Sequence, residues 1–260
     1  MNKISPALKK DLTRLAQKYE TADFLISDPS QFLRHYSEPK DIELCAFVAA
    51  LLAFGNRKQF IPKIQFIIEQ ADNAGGIYNW ILNRGYNDFF PARNTKKFYR
   101  FYSYKDMNNL FSALNKILKT EQTLGIYFHS LYNEALNISA AAPHLIDIIA
   151  SSFAGCSIVP QTKTSAKKRL CMFLRWMVRD NSAVDLGLWT WYPKTALIIP
   201  LDVHVLAESQ KLGLIAPGAS ATRKTAEALT ECARQIFPDD PTRLDFALFG
   251  YGVDKSRGAQ

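Results

Sequence analysis

Apolar residues recur at helical spacing along most of this chain, and we find no segment in which they alternate as in a half-buried strand. Spacings of three and four residues place such side chains on one face of a helix. Three apolar faces show the pattern: Phe60, Ile64, Ile67 and Ile68; Met107, Leu110, Phe111 and Leu114; and Ala226, Leu229 and Ala233. The sequence therefore predicts an all-α fold.

Two local signals refine this prediction. Residues 44–54 are apolar on every side, which is typical of a helix buried at the centre of a domain. This 11-residue run is too short to cross a bilayer, which takes ~20 apolar residues. Ser103 and Asp106 have the spacing of a capping box and predict that a helix begins after Ser103. The expected linkers are residues 73–77, 91–95, 157–164 and 180–185.

The charge and the cysteines limit the class of protein. The 260-residue chain has a formal net charge of +8, which favours a polyanionic partner such as double-stranded DNA. Its four cysteines lack metal-ligand spacing, so we expect reduced thiols, no metal site and no iron–sulfur cluster. Together with the absence of a signal-peptide pattern or a membrane span in the sequence, this predicts a cytoplasmic protein.

Several catalytic motifs are missing from the sequence. It contains no glycine-rich phosphate loop, no Gly-x-Ser-x-Gly elbow and no paired-histidine metal motif. Their absence argues against nucleotide hydrolysis, serine-esterase chemistry and zinc catalysis. We therefore expect no cofactor.

The segment Ile199-Pro200-Leu201-Asp202-Val203-His204 is the most informative motif. The proline ends the preceding segment, and Asp202 stands where a new helix begins. One oxygen of an Asp at such a junction caps the helix, which leaves the other oxygen for chemistry. Most aspartates in this position are only caps, so the motif needs a partner elsewhere in the chain.

That partner is Lys168, on an upstream helical segment that is basic as well as apolar, residues 166–177. Arg175 and Arg179 follow Lys168 by seven and eleven residues, on the same stripe of the helix. A lysine on a basic helix is ordinarily a solvated surface residue. The downstream Asp202 motif adds a second interpretation, in which Lys168 is a catalytic residue.

These two segments resemble the helix-hairpin-helix (HhH-GPD) DNA glycosylase superfamily. Residues 199–204 are similar to its proline–hydrophobe–Asp–Val–His signature, in which the Asp is catalytic and follows a catalytic Lys on an earlier helix. The helix with Lys168 is similar to the lysine helix of the archaeal 8-oxoguanine DNA glycosylases. The whole chain looks most like a bacterial branch of the superfamily that has no settled substrate. The family's Leu-Pro-Gly-hydrophobe-Gly hairpin and the cysteine quartet of its iron–sulfur branch are absent from the sequence.

The resemblance implies two helical halves that face each other across a cleft, as in DNA glycosylases. Residues 41–174 are expected to form the central half, with the lysine helix at its end. Residues 1–40 together with 175–260 are expected to form the other half. The turn after Gly55 is similar to the family's contacts with the opposite DNA strand, although a solvated turn explains it equally well. The DNA-binding residues expected in this turn are Asn56, Arg57, Lys58 and Gln59.

The chemistry of base removal explains why Lys168 and Asp202 belong together. An uncharged lysine amine attacks the sugar C1′ and forms a Schiff base, whose elimination breaks the strand. A carboxylate accepts protons and stabilises the positive charge that develops on the sugar. The resemblance therefore implies that Lys168 and Asp202 are catalytic, with Lys167 as the alternative lysine.

Other residues are candidates for contacts with DNA. Arg175 and Arg179 are expected to bind phosphates from the lysine helix. A flipped base is commonly held by stacking, so Trp189, Trp191 and His204 are expected to line a base pocket, although core packing is the commoner fate of such residues. Residues 96–105 interleave cations with aromatics, which is typical of a stacking surface and also of an amphipathic segment whose aromatics are core.

Three functions are open at this point. The first is a DNA repair glycosylase with abasic-site lyase activity on a damaged base, for example an oxidised purine. The second is a non-catalytic helical nucleic-acid-binding protein that keeps the glycosylase fold, which the missing hairpin favours. The third is a helical scaffold for another protein. The presence of Lys168 and Asp202 favours the glycosylase. Salt-dependent DNA binding would distinguish the nucleic-acid-binding protein from the scaffold.

Overall fold

The chain is predominantly helical, as the apolar spacing predicts. The structure is a computed structural model that describes residues 4–138 and 143–258. The α-helices of this part are α1 (Pro6–Tyr19), α2 (Pro39–Leu52), α3 (Arg57–Asp72), α4 (Ile77–Leu82), α5 (Tyr86–Phe89), α6 (Tyr104–Leu118), α7 (Leu124–Ile138), α8 (Leu145–Ser152), α9 (Lys168–Val178), α10 (Val203–Lys211), α11 (Arg223–Arg234) and α12 (Leu244–Gly258). Short 3-10 helices lie at Ala22–Ser27, Pro29–Arg34, Lys194–Ala196 and Pro241–Arg243. The prediction of an all-α fold is confirmed at this level. No helix in the described residues has both the length and the apolar character to span a bilayer.

The chain divides into two compact units. The terminal unit is Met1–Ile26 with Thr162–Gln260, and the central unit is Ser27–Gln161. The boundaries expected from the sequence, at 40/41 and 174/175, both lie later along the chain. The first boundary comes early because the 3-10 helix Pro29–Arg34 packs on α2 of the central unit.

The second boundary places the lysine helix in the terminal unit and not at the end of the central one. The physical reason is that α9 carries two buried arginines, Arg175 and Arg179. Their guanidinium groups bind carboxylates of the terminal unit, among them Asp240 and Asp245. Sequence spacing does not reveal these partners.

Helix α2 lies at the centre of the central unit. Every residue from Asp41 to Leu52 is buried, so the prediction of a buried helix around residues 44–54 is confirmed, although the helix itself ends at Leu52. Helices α3, α4 and α7 pack around it. Its buried carboxylates, on Asp41 and Glu43, accept hydrogen bonds from backbone N–H groups of α4 and α7, as buried polar groups require.

The central unit also contains a short antiparallel hairpin that the apolar pattern does not predict. Strand β1 (Lys97–Tyr99) pairs with β2 (Tyr102–Ser103), and Arg100 in the turn has a positive φ of 51°. The alternation typical of strands is missing because neighbouring side chains are buried together: Phe98, Tyr99, Tyr102 and Ser103.

The predicted capping box is confirmed directly after this hairpin. Ser103 Oγ accepts a hydrogen bond from the backbone N–H of Asp106, and the Asp106 carboxylate accepts one from the backbone N–H of Ser103. Helix α6 therefore begins at Tyr104.

In the terminal unit, α12 packs along α1 and against α10. Helix α9 is buried from Leu170 to Val178. Helix α10 begins at Val203 with Asp202 as its N-cap, as the sequence predicts. Lys168 and Asp202 are thus positioned by the N-terminal ends of two helices of the same unit.

Candidate active site

Lys168 is the first residue of α9 and follows a residue in an uncommon conformation. Lys167 has a φ of 47°, in the left-handed region that costs a residue with a side chain about 1–2 kcal/mol. Its backbone N–H donates to Ser165 Oγ at 3.1 Å, and the residue is only 4% exposed. The side chain of Lys168, in contrast, is 32% exposed. Exposure therefore favours Lys168 over Lys167 as the lysine that a substrate can reach.

Asp202 uses its two carboxylate oxygens differently. Oδ1 accepts hydrogen bonds from the backbone N–H groups of His204 and Val205, each at 2.9 Å, and so caps α10. Oδ2 lies 3.5 Å from Lys168 Nζ. The structure thus has one oxygen in the cap and the other facing an amine, which is the division that the sequence motif predicts.

The ion pair between Lys168 and Asp202 contributes little to folding. Both side chains are about one-third exposed, and exposed pairs of this kind typically stabilise a protein by about 0–1 kcal/mol. Helix capping alone explains the orientation of Oδ1 but does not require an amine at Oδ2. The pair is therefore a candidate for chemistry more than for stability.

The two arginines expected to bind phosphate are buried. Arg175 and Arg179 are each 2% exposed. Arg175 Nε donates to Asp185 Oδ1 at 3.3 Å, and Arg175 Nη1 donates to Asp245 Oδ2. The Arg175 guanidinium also lies over the ring of Phe246, 4.6 Å from its centroid. These donors therefore face the core of the terminal unit.

Arg179 occupies the centre of the same ionic network. Its Nε donates to both oxygens of Asp240 at 3.0 and 2.9 Å, and its Nη2 lies 2.6 Å from Glu20 Oε1. Its Nη1 binds Asp185, which Arg175 also contacts. Burial opposes the charge, but the carboxylates raise the pKa of Arg179 overall. The expectation that Arg175 and Arg179 contact DNA is therefore corrected: both arginines are structural.

Asp245 is a partner of Arg175 that the sequence does not mark. It lies in the first turn of α12, where an aspartate is ordinary. Its carboxylate binds Arg175, and its side chain is 18% exposed. Burial raises the pKa of Asp245 to about 6, with Arg175 and Lys168 acting in the opposite direction and Asp202 adding to the rise. Asp245 therefore lies within electrostatic reach of the Lys168–Asp202 pair.

The three residues expected to line a base pocket differ in accessibility. Trp189 is buried, packs edge-to-face on Phe173 at 5.3 Å between centroids, and stacks on Trp191 at 5.5 Å. The expectation for Trp189 is therefore corrected, because its indole is part of the core. Trp191 is half-buried, and His204 is exposed in the first turn of α10. The side chains of these two residues can therefore be reached from solvent, as the lining of a base pocket must be.

The other residues expected to bind DNA lie in the central unit, at the N-cap and in the first turn of α3. Asn56, Arg57, Lys58 and Gln59 are all exposed. Asn56 caps α3, since its Oδ1 accepts a hydrogen bond from the Lys58 backbone N–H at 2.9 Å. Arg57 Nη2 lies 3.4 Å from Asp28 Oδ2. The turn thus presents polar and basic groups from a fixed helix start.

The β1–β2 hairpin lies against this turn, a contact that the sequence does not predict. Phe101 is 58% exposed, and its ring lies 5.1 Å from that of Phe54. The Arg100 guanidinium lies 5.8 Å from the centroid of the same Phe54 ring. Residues 54–59 and 97–101 together are called the turn–hairpin surface below.

Gly55 lies directly against the hairpin within the turn–hairpin surface. Its φ is +81°, and a Cβ there would lie 2.7 Å from Arg100 Nη1 and 3.0 Å from the Tyr99 hydroxyl oxygen. Only glycine adopts this conformation readily. Gly55, which precedes the turn expected from the sequence, therefore also lets the hairpin pack on this turn.

The cysteines are buried as free thiols, Cys45 and Cys156 in the central unit and Cys171 and Cys232 in the terminal unit. Within the part of the chain that the structure describes, no three His, Cys, Asp or Glu side chains converge in a group that would hold a metal ion.

Comparison with known proteins identifies a family and nothing closer. No curated protein and no solved structure matches the chain. The family described as "Protein of unknown function (DUF2400)" matches residues 28–254. The match includes the turn–hairpin surface, the whole of α9 and Asp202. Because it spans most of the sequence, the chain belongs to this family.

Proposed function

We propose that this protein is a DNA glycosylase with abasic-site lyase activity, which removes a damaged base from double-stranded DNA through a Schiff base on Lys168. The observation that carries the proposal is the 3.5 Å between Lys168 Nζ and Asp202 Oδ2. These residues are distant in sequence, and each is held at the start of a different helix. The resemblance to helix-hairpin-helix DNA glycosylases supports the same pair, a DNA-glycosylase-like helical fold and an oxidised purine as the substrate. The four free thiols support a cytoplasmic setting.

An amine beside a carboxylate supplies the two functions that base removal needs. The lone pair of Lys168 Nζ attacks C1′ while the bond from C1′ to the base breaks, and that electron pair leaves with the base. The negative charge of Asp202 stabilises the positive charge that develops on the sugar. Proton loss from the new secondary amine and opening of the sugar ring then give the Schiff base, and elimination of the 3′ phosphate breaks the strand.

The ion pair has to open before the amine reaches a sugar. The flexible four-carbon stem of Lys168 lets Nζ turn away from the carboxylate. A pair that contributes only about 0–1 kcal/mol is broken readily. Asp202 stays in place when this happens, because two backbone N–H groups hold its Oδ1. The arrangement therefore has one mobile group and one fixed group.

Borohydride trapping tests the proposal. The wild-type protein is incubated with duplexes that contain one lesion or one abasic site each, and the adduct is mapped by peptide mass spectrometry. We expect an adduct on Lys168 and none in Lys168→Gln, whose thermal stability stays near that of the wild type. Lys167→Gln is the matched control and should still form the adduct.

Two outcomes would contradict parts of the proposal. An adduct that persists in Lys168→Gln would transfer the role to Lys167 or to the N-terminal amine of Met1, which lies outside the described residues. A wild-type protein that traps none of the lesions and no abasic site would contradict the glycosylase function as a whole.

The turn–hairpin surface favours a second candidate function, nucleic-acid binding without catalysis. It presents the exposed ring of Phe101 and the exposed cations of Lys58, Lys97 and Arg100, and Lys97 Nζ donates a hydrogen bond to the backbone carbonyl of Phe101 at 2.9 Å. An aromatic face among cations is the arrangement that stacks on a base and binds the flanking phosphates. This surface lies entirely in the central unit and does not depend on Lys168 or Asp202.

Fluorescence anisotropy with labelled DNA tests this second function. Affinity should fall steeply between about 50 and 200 mM salt, because cations released from phosphates drive the binding. Phe101→Ala should weaken binding by roughly 10- to 100-fold, as expected for the loss of one stacked base. Ile126→Ala, at an apolar residue of the same unit that is 48% exposed, is the control and should leave affinity unchanged. Salt-dependent binding without any trapped adduct would favour this function over the first.

A further inference from the structure

Helix α11 contacts the chain shortly before Lys168. Its N-cap, Thr222, forms an antiparallel bridge with Ser165. The backbone N–H of Arg223 donates a hydrogen bond to the carbonyl of Thr164 at 2.9 Å. The segment that leads into α9 is therefore held on the start of α11.

The same helix also contacts the chain shortly before Asp202. The hydroxyl oxygen of Thr230 accepts a hydrogen bond from the backbone N–H of Ile199 at 3.1 Å. The Thr230 hydroxyl in turn donates to the carbonyl of Ala226 at 2.8 Å. Thr230 and Ile199 are both buried, and a buried N–H group needs such a partner. Thr230 thus holds the segment that leads into α10.

The path from Ile199 to Asp202 is short and stiff. The ring of Pro200 fixes its own φ and restricts the residue before it to extended conformations. Pro200 and Leu201 are buried, and Asp202 Oδ1 is held by the first turn of α10. A displacement of Ile199 would therefore move the Asp202 carboxylate.

The path from Ser165 to Lys168 is constrained as well. Ser165 Oγ accepts a hydrogen bond from the backbone N–H of Lys167 at 3.1 Å. Lys167 has a left-handed φ of 47°, a conformation that persists in a residue with a side chain only where its surroundings enforce it. The direction in which the chain enters α9, and with it the start of the Lys168 side chain, thus depends on this anchored segment.

We propose that α11 is the shared support that sets the separation between Lys168 Nζ and Asp202 Oδ2, and that Thr230 is a positioning residue of the site. The inference rests on the glycosylase function proposed above. The two anchors, Thr222 and Thr230, lie about 12 Å apart along one continuous helix, so they cannot shift independently. Such alignment matters because a displacement of about 1 Å in a reacting group costs roughly 100-fold in rate.

Substitution of Thr230 tests the assignment. Thr230→Val keeps the shape of the side chain but removes the oxygen that holds Ile199, whereas Thr230→Ser keeps the hydroxyl. We expect Thr230→Val to slow single-turnover borohydride trapping at saturating DNA by roughly 10- to 100-fold, without a change in the Kd for DNA. Thr230→Ser should restore most of the rate.

Thr242→Val is the matched control, since Thr242 is another buried threonine of the terminal unit. Its hydroxyl donates to Asp240 Oδ1 at 3.1 Å, within the ionic network of Arg179. Thr242→Val should lower the melting temperature, as Thr230→Val does, but should keep the wild-type trapping rate. Equal slowing in the two variants would show a general effect of lost stability and would overturn the inference.

A cross-linking measurement needs no activity. A zero-length carbodiimide joins an amine and a carboxylate that are in contact, and peptide mass spectrometry quantifies the product. We expect a cross-link between Lys168 and Asp202 in the wild type and in Thr242→Val, and a several-fold lower yield in Thr230→Val.

The two readouts separate the inference from the function on which it rests. Equal cross-link yields in Thr230→Val and the wild type, or no such cross-link in the wild type, would overturn the role of Thr230. A wild-type protein that forms the cross-link but traps no DNA would contradict the glycosylase function instead.

Discussion

At the scale of single residues, Asp202 combines a structural and a chemical task in one carboxylate. Oδ1 closes the first turn of α10, and Oδ2 lies beside the amine of Lys168. An amide keeps an oxygen for the cap but has no negative charge, whereas a methyl group has neither. Substitution can therefore separate the two tasks.

We predict that Asp202→Asn keeps the fold and slows borohydride trapping without abolishing it, because the amine of Lys168 remains. Asp202→Ala should lose the charge and also the cap, which typically costs about 1 kcal/mol and lowers the melting temperature by roughly 2–4 °C. Thermal melts and trapping rates of both variants check this. Equal melting temperatures for the two variants would show that Oδ1 is not a significant cap.

Local sequence predicts the two residues of the pair but not their surroundings. The resemblance that implies Lys168 and Asp202 rests on a helix and a helix start, which are local features, and the structure brings the two side chains together. The partners of Arg175 and Arg179 come from Glu20, Asp185, Asp240 and Asp245. Helical periodicity does not relate these carboxylates to α9. The sequence therefore predicts that the two arginines of α9 are accessible, whereas they are buried and paired with carboxylates.

At the scale of elements, the turn after α2 and the β1–β2 hairpin depend on one glycine. Helical periodicity predicts α2, and the capping box predicts α6. Each of these signals lies within or next to the helix that it predicts. The hairpin was missed because its buried aromatics are neighbours and its turn uses a non-glycine residue, Arg100, at positive φ. Its contact with Gly55 is a tertiary feature that has no local signature.

We predict that Gly55→Ala weakens DNA binding more than it weakens the fold. The new Cβ would displace Arg100 Nη1, which lies 2.7 Å from its position, and so would disturb the turn–hairpin surface. Gly155→Ala is the control: its φ is +83°, and a Cβ there would meet nothing within 4 Å. Both variants should lose about 1–2 kcal/mol from the unfavourable φ, measured by urea unfolding, but only Gly55→Ala should lose affinity in anisotropy titrations. Equal affinities would contradict the role given to this surface.

At the scale of the whole molecule, charge as well as apolar packing holds the discontinuous terminal unit together. Glu20, which follows α1, binds both Arg179 and Arg243. Arg179 in turn binds Asp185 and Asp240. The network thus connects the first segment of this unit with its second segment across most of the length of the sequence.

We predict that Arg179→Met lowers the free energy of unfolding by roughly 3–5 kcal/mol, because it removes a buried cation that Glu20, Asp185 and Asp240 share. Lys211→Met removes an exposed lysine from its pair with Glu208 and should cost no more than about 1 kcal/mol. Urea unfolding of both variants gives the comparison. Similar losses would show that burial does not strengthen the network.

The buried thiols give each unit its own reporter of transient opening. Cys45 and Cys156 lie in the central unit, and Cys171 and Cys232 lie in the terminal unit. Burial raises the pKa of Cys45 and Cys156, so these thiols are shielded from alkylating reagents both by access and by protonation. A cysteine that is modified under native conditions has been exposed by opening of the structure around it. Mass spectrometry of the four labelled peptides therefore yields separate opening rates for the two units from the unmodified wild-type chain.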